Sequence, residues 1–398
     1  MKPDAAIDII RELRRLGYEA YLVGGCVRDM VMQIEPADYD IATSARPEEI
    51  IRIFPRTESI GAQFGVVLVI HRGHPFEVAT FRSDEAYIDG RRPTGVVFTD
   101  SKQDVLRRDF TINGLLYDPL DGHVIDYVGG QADIEAKIVR AIGDPLARFE
   151  EDKLRILRAI RFGARLGYTI EQQTWAAVRV MAPKIHQVSQ ERIREEITRI
   201  LTEGQAPRGF RMLDESGLRA EVLPELTWTP HIETALGMLH RQTQPDFAVA
   251  VLLHHTPVRD VAGIVERLKF SRAEMHHVCA LVENLPRFSQ VQKMSISALK
   301  RFFRIDRFHD HLELARIHRV AASEDLADYQ YARQKRNEWG EGGIWPTPLI
   351  SGDDLIATGF SPGPSFKEIL TRVEDEQLEG RLNTREQALN YVKRNFQP

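Results

Sequence analysis

Asp38 and Asp40, in the run Asp38-Tyr39-Asp40-Ile41-Ala42-Thr43, are the residues best spaced to do chemistry. In an extended strand, positions i and i+2 face the same side, so the two carboxylates would stand together. Neighbouring like charges repel unless a cation lies between them. Hard carboxylate oxygens at this spacing suit Mg²⁺, which takes one or two carboxylates together with substrate phosphates. Upstream, Gly24-Gly25-Cys26-Val27-Arg28-Asp29 follows the apolar run Tyr21-Leu22-Val23 and precedes a predicted helix. Two glycines ahead of a helix N-terminus let backbone N–H groups approach a phosphate closely. Asp-x-Asp alone is common, whereas Gly-Gly-x-x-Arg-Asp ahead of it makes the combination specific. Glu77, in another predicted strand, is a candidate third acid. Oxygen-bound metals would activate a hydroxyl and stabilise a leaving pyrophosphate in an in-line nucleotidyl transfer. The chain has no Gly-x-x-x-x-Gly-Lys-Ser/Thr run, so P-loop chemistry is not indicated.

A second constellation lies in Asp144 to Arg165, which reads as one helix. At 100° per residue, Ile156, Leu157, Ile160 and Ala164 share an apolar face. Arg155, Arg158 and Arg161 step along the i, i+3 row, with Asp152 and Arg155 neighbours on one exposed edge and Phe162 among the bases. A carboxylate accepts hydrogen bonds and a guanidinium donates them in a planar fork. Side by side they complement an amino donor next to a ring-nitrogen acceptor, the edge that cytosine and adenine share. Uracil and guanine present a carbonyl where the amino group is needed. Such a pair would accept C and A and reject U and G. The plain alternative is a surface i, i+3 salt bridge of little energetic value.

These residues need elements to hold them. Strand-like runs occur at Ala20–Val23, Tyr39–Ala42, Val66–Ile70 and Phe76–Phe81, after a helix over Asp4–Leu16 whose apolar residues are Ala6, Ile9, Ile10 and Leu13. From about residue 140 the pattern is helical, with capping-box spacing at Thr169/Gln172, Ser271/Glu274 and Thr384/Gln387. Gly340 to Pro364, rich in Gly and Pro, reads as an irregular connection. The expected fold is therefore α+β: an N-terminal mixed α/β domain followed by an all-helical remainder.

The net charge is −5, yet residues 140–211 carry 14 Lys/Arg against 9 Asp/Glu, while 341–380 carry 2 against 8. That asymmetry suits one polyanion-facing surface on an acidic body. Two cysteines, Cys26 and Cys279, cannot build a disulfide framework or a multi-cysteine zinc site. The N-terminal MKPDAAIDII lacks a signal-peptide core, and no apolar run reaches the ~20 residues of a membrane span. A reducing, cytoplasmic setting is expected, with no membrane association.

Taken together, the motifs resemble those of bacterial class II tRNA nucleotidyltransferases, the CCA-adding enzymes, within the DNA polymerase β-like nucleotidyltransferase superfamily. The resemblance runs through GGCVRD…DYDIAT, FEVATFRSDEAYIDGRRPTGVVF, LRRDFTINGLLYDP, GDPLARFEEDKLRILRAIRF, VSQERIREEI and LISGDDLIATGFSPGPSFKEIL, nearly the whole chain. It implies a catalytic head (1–140) holding the mixed sheet, a base-recognising neck (141–205), and a helical body (206–340) and tail (341–398) that bind tRNA. It further implies that Asp38 and Asp40 bind Mg²⁺ with Glu77 as the associated third acid, and that Gly25 and Arg28 contact the triphosphate. Arg108 and Asp109 would hold the nucleotide and its ribose. Asp152 and Arg155 would act as an amino-acid template, assisted by Arg158 and Arg161. Asp89 to Gly95 would form a loop that helps the site switch from CTP to ATP.

The chain departs from the family pattern in places. Val31-Met32-Gln33 stands where Leu-Gly is usual, and Gly114 where Ala is typical. Some relatives carry a phosphohydrolase domain with a His-Asp metal pair. Here Leu253-His254-His255-Thr256 has no Asp after the histidines, so no second metal site is expected and these read as helix residues near a core. The expected activity is template-independent addition of C, C and A to tRNA 3′ ends from CTP and ATP, with no obligate protein partner. Alternatives are A-only or CC-only addition, poly(A) polymerisation, and a non-catalytic RNA-binding protein. The Gly61-Ala62-Gln63-Phe64-Gly65 stretch lacks the basic residues of poly(A) polymerases, the Asp89–Gly95 loop argues against CC-only addition, and intact carboxylates argue against loss of catalysis.

Overall fold

The computed structural model describes residues 2–58, 65–84 and 96–397. The Asp89–Gly95 loop and residues 61–64 lie outside the described residues. The described chain forms two compact units: Met1–Trp228 with Leu239–Pro245 and Gly263–Phe270, and Thr229–Met238 with Asp246–Ala262 and Ser271–Pro398.

The first unit opens with helix α1 (Lys2–Arg15), whose Ala5, Ala6, Ile9, Ile10 and Leu13 are fully buried, as the apolar spacing requires. Strands β1 (Ala20–Val23), β2 (Asp40–Thr43), β3 (Thr57–Glu58), β4 (Val66–His71), β5 (His74–Thr80), β6 (Arg82–Asp84), β7 (Val96–Phe98), β8 (Leu115–Asp118) and β9 (His123–Asp126) follow. Seven of them make a mixed sheet in the order β3-β4-β5-β2-β1-β8-β9; β6 and β7 pair apart from it. Within that sheet the β2–β5 pair is parallel and the other neighbours are antiparallel. Strand β2 sits centrally between β1 and β5, so the acids at its N-terminal end rest on a rigid platform with Ile41, Val67, Val69, Phe76 and Val78 fully buried or nearly so.

Helix α2 (Gly25–Val31) springs from β1 through Gly24, whose φ of 72° and ψ of −129° fall where side-chain-bearing residues are strained. The turn after α2 keeps a left-handed residue without a glycine: Gln33 has φ 59°. The other departure has a packing reason, since a Cβ on Gly114 would lie 2.8 Å from Val128 Cγ2 and 3.0 Å from Ile142 Cδ1. Helices α3 (Pro47–Ile53), α4 (Ser101–Leu106) and α5 (Gly130–Glu135) complete the sheet-bearing portion.

Three local expectations need correction. Asp144–Arg165 is not one helix: α6 (Pro145–Glu151) stops at Asp152, whose φ −139° and ψ 104° are extended, and α7 (Arg155–Leu166) starts afresh. Asp152 Oδ1 accepts the Leu154 N–H at 3.1 Å, a local bond that competes with helix continuation. Thr169 is not an N-cap: Thr169–Ile170 pairs in parallel with Ile138–Val139, and Glu171 caps α8 (Gln172–Met181) through the Gln173 and Thr174 N–H groups. The boxes at Ser271/Glu274 and Thr384/Gln387 do form. Finally, the 340–364 segment contains regular structure: a helix runs over Ala327–Ile344 with a break at Gly340, and Gly352–Ala357 is helical behind a Ser351/Asp354 capping box.

Helix α9 (Gln190–Thr202) packs against α7. The second unit is helical throughout, and its last part has a core of its own around Leu355, Phe360, Ile369, Val373, Ala388 and Val392.

Candidate active site

The first unit holds a cavity of about 630 Å³ between the β1–β2 edge and helices α2, α7 and α9. Gly25, Arg28, Asp38, Asp40, Arg108, Asp109, Asp152, Arg155, Arg158 and Arg161 all line it. Its wall carries eight arginines against five aspartates, a surplus of three positive charges. That balance suits a ligand with several negative charges.

At one end lie the acids. Asp40 is the first residue of β2, whereas Asp38 precedes the strand, so the expected i, i+2 pair is half in regular structure. The Asp38 side chain is 82% exposed and Lys2 Nζ bonds its carboxylate at 2.6 Å. Ile41 is in register with Val78, which sets Asp40 beside Glu77 one step earlier on the parallel neighbour. Burial pushes the Asp40 carboxyl up to about 6; Glu77 and Asp38 add to the rise and Arg108 and Lys2 oppose it. Glu77 is absent from the cavity lining but acts through its charge. A desolvated carboxylate raised by its acidic neighbours is one that a divalent cation would return to the ionised form, so the donor set fits Mg²⁺.

Beside the acids, Arg28 is 3% exposed, pairs with Asp29 at 2.7 Å, donates to Asn113 Oδ1 at 2.7 Å, and lies over the Phe162 ring. Arg108 pairs with Asp104 at 3.0 Å, while its Nε is buried with no hydrogen-bond partner among the described residues. A Cβ on Gly24 would lie 3.1 Å from Arg108 Nη1, so the glycine gives this guanidinium its room. Asp109 takes hydrogen bonds from Phe110 N, Asn113 Nδ2 and Arg158 Nε at 2.8, 3.1 and 2.8 Å. Burial alone would raise its carboxyl, but Arg158, Asn113 and Arg155 outweigh that and hold it at about 2.

The far end departs from the expected helix edge. Asp152 and Arg155 line the same cavity but are not side-chain partners. Arg192 on α9 holds Asp152 in a two-point grip at 3.1 and 2.8 Å. Arg155 is 8% exposed, not on an open edge; it donates to Glu151 Oε2 at 2.7 Å and to the carbonyls of Arg148 and Arg107. Neither the surface salt bridge nor the exposed pair describes them. Three of the five Arg155 N–H donors are so used, leaving two for a ligand. Arg161 is buried and pairs with Glu196 of α9 at 2.7 Å, and Phe162 lies beneath Arg28, Arg158 and Arg161. Sequence reasoning missed Asn113, Arg192, Glu196, Arg165 and Arg199 as site residues. The i, i+4 spacing of Arg192 and Glu196 within VSQERIREEI was the signal available for two of them.

Residues 20–140 match the family described as "Poly A polymerase head domain", 167–229 "Probable RNA and SrmB-binding site of polymerase A", and 240–392 "tRNA nucleotidyltransferase domain 2 putative". A CCA-adding enzyme of Geobacillus sp. strain WCH70 is 32% identical over 97% of this chain and 95% of its own length. The chain belongs to the CCA-adding enzyme family. A second such enzyme, from Levilactobacillus brevis, is 33% identical over 97% of this chain and 96% of its own. The CCA-adding enzyme of Bacillus stearothermophilus, solved in complex with CTP, superimposes with a TM-score of 0.79 at 29% identity, covering 99% of this chain and 98% of that one. Membership makes the chain a nucleotidyltransferase, and the α+β fold with a seven-stranded mixed sheet is the family's. Among the described residues no helix is long and apolar enough to cross a membrane.

Proposed function

We propose that this CCA-adding enzyme extends tRNA 3′ ends with C, C and A from CTP and ATP, and that the cavity of the first unit is where it does so. The observation that carries this reading is the cavity itself. It joins paired carboxylates, an unpartnered arginine N–H and an acid-plus-guanidinium end within one volume of nucleotide size.

Asp38 and Asp40, with Glu77 behind them, would hold Mg²⁺. A divalent cation there would polarise the attacking 3′-hydroxyl and neutralise charge on the departing pyrophosphate. Arg108 Nε, buried and without a partner among the described residues, supplies a donor for a phosphate oxygen, and Arg28 stands beside the α2 N-terminus near Gly25, where backbone N–H groups favour anions. Asp109, ionised throughout the neutral range, presents acceptor oxygens for a ribose hydroxyl once Arg158 yields one of them.

Asp152 and Arg155 read the base in this proposal. Asp152 offers an acceptor for an exocyclic amino group and Arg155 a donor for the adjacent ring nitrogen, the pattern common to C and A. Arg192 aims the carboxylate, Arg158 and Arg161 line the same cavity, and Phe162 supplies a flat surface under the arginines. The domain boundaries at 140, 205 and 340 are proposed on the same grounds: catalysis in the head, base choice in the neck, tRNA binding in body and tail. The separate core around Leu355 and Val373 supports the tail as a module. A cytoplasmic setting fits the substrates and the free thiols of Cys26 and Cys279.

The test is a tRNA lacking its terminal C-C-A, supplied with one triphosphate at a time. CTP and then ATP should be incorporated, UTP and GTP not. Incorporation of ATP alone, and only on tRNA ending in C-C, would assign the narrower A-adding activity instead.

A further inference from the structure

The second unit contains four histidines that the nucleotidyl-transfer site does not use. His231 sits near the start of the helix Pro230–Leu236, His254 and His255 follow the helix Pro245–Leu253, and His318 lies in the helix Phe308–Ala321. One ring nitrogen from each falls within 4.8 Å of the others. Ring centroids are 4.0 Å apart for His231 and His255, 4.5 Å for His254 and His255, and 5.2 to 5.5 Å for the remaining pairs. The reading of His254 and His255 as simple core residues is therefore incomplete: they meet partners 23 and more than 60 residues away in sequence.

We propose that these four histidines form a site for a first-row transition-metal dication of the Zn²⁺, Co²⁺ or Ni²⁺ class, which fastens three helical segments of the second unit together. His254 Nδ1 donates to the Val251 carbonyl at 2.6 Å, which leaves Nε2 as the lone-pair nitrogen and aims it inward. A backbone carbonyl on the outer nitrogen is the usual way a metal-binding imidazole is oriented. His254 Nε2 faces His231 Nε2 at 3.0 Å, so two ring nitrogens converge on one point. His318 Nδ1 is buried with no hydrogen-bond partner among the described residues, an unsatisfied group that a cation would satisfy. His255 is exposed and leaves a path for entry. With Zn–N bonds of about 2.0–2.1 Å, nitrogens in a tetrahedral site stand roughly 3.4 Å apart, a contraction that rotamer adjustment can supply from the present spacing. All-nitrogen donors select transition metals over Mg²⁺, which prefers oxygen.

This site is independent of the nucleotidyl-transfer reading. Untagged full-length protein, stripped with chelator and kept in excess Mg²⁺, is titrated with Co²⁺ while visible d–d absorption and thermal unfolding are followed. One equivalent should give an absorption band that Zn²⁺ displaces, together with a rise in melting temperature. His255→Asn, an exposed change, and His318→Gln should each weaken binding at least tenfold, with circular dichroism checking the fold. Asp40→Asn should leave the band unchanged. Absence of the band in the unsubstituted chain, its survival in both histidine variants, or its loss in Asp40→Asn would overturn the proposal.

Discussion

Arg192 grips Asp152 across forty residues of sequence, one nitrogen on each carboxylate oxygen. A bidentate guanidinium fixes the plane of the carboxylate as well as its position. If Asp152 reads the base, Arg192 is its aiming device. Arg192→Ala should therefore relax base choice while leaving tRNA affinity nearly unchanged. Incorporation of UTP relative to CTP should rise by roughly tenfold, the equivalent of ~1.4 kcal/mol and within the range of one charged hydrogen bond. Asp152→Ala should do at least as much, and the double variant no more than Asp152→Ala alone, because the two act as a unit. Single-nucleotide incorporation assays on both variants check this. An intact C and A preference in Asp152→Ala would remove it from base reading.

The catalytic end was readable in the sequence because its logic is local. Gly24-Gly25, Arg28, Asp38 and Asp40 lie within seventeen residues and all line one cavity, although strand alternation holds only for Asp40, since Asp38 precedes β2. The end proposed to read the base was only half legible. A uniform 100° per residue carried Asp152 into a helix, whereas its own side chain bonds the Leu154 N–H and ends that helix. The mate of Asp152 comes from α9, and a helix wheel drawn on one segment cannot show a partner on another. The histidine cluster is hidden for the same reason: its members are brought together by tertiary packing, and no spacing along the chain announces it.

Asp40 should be indispensable for transfer with every nucleotide. Asp40→Asn should abolish incorporation of both CTP and ATP while tRNA still binds, as gel-shift titration can show. With its carboxyl at about 6, the acid limb of the pH–rate profile should fall near that value at limiting Mg²⁺. Added Mg²⁺ should move the limb to lower pH, since the cation binds the ionised form. The stability effect has the opposite sense to a salt-bridged acid. The folded state holds its proton to higher pH than the unfolded chain, so stability contributed here falls as pH rises from about 4 through about 6. In divalent-free buffer at pH 7.5 or so, Asp40→Asn should accordingly melt higher, by roughly 2–4 °C for ~1 kcal/mol relieved. A variant that retains transfer would refute the metal assignment.

Asp109 and Arg158 should matter for stability as well as for nucleotide binding. The Asp109 carboxyl is held at about 2, below its unfolded value, so its contribution is complete above about pH 4 and lost as pH falls toward 2. Removing one partner strands a buried charge: Arg158→Ala should cost about 3–5 kcal/mol at pH 7, and Asp109→Asn less, because the amide keeps some of the hydrogen bonds. Urea unfolding at pH 7 and pH 3 measures both. The gap between Arg158→Ala and the parent should narrow at the lower pH. An equal gap at both would show that the carboxylate charge is not what Arg158 serves.

Gly24 offers a backbone test of the phosphate-binding role proposed for Arg108. At φ 72° and ψ −129°, an alanine would cost about 1–3 kcal/mol in strain, and its Cβ would press on Arg108 Nη1 from 3.1 Å. Two outcomes should therefore arrive together in Gly24→Ala: a lower melting temperature, and a KM for both CTP and ATP raised about tenfold or more as the guanidinium is displaced. The strain alone would be felt in stability without selecting the triphosphate. Arg108→Lys separates the two effects, since it leaves the turn intact and substitutes a point charge for the fork. It should raise KM for both nucleotides with little change in melting temperature. Should Gly24→Ala lose stability yet keep its nucleotide KM, Arg108 would not be the group that meets the phosphates.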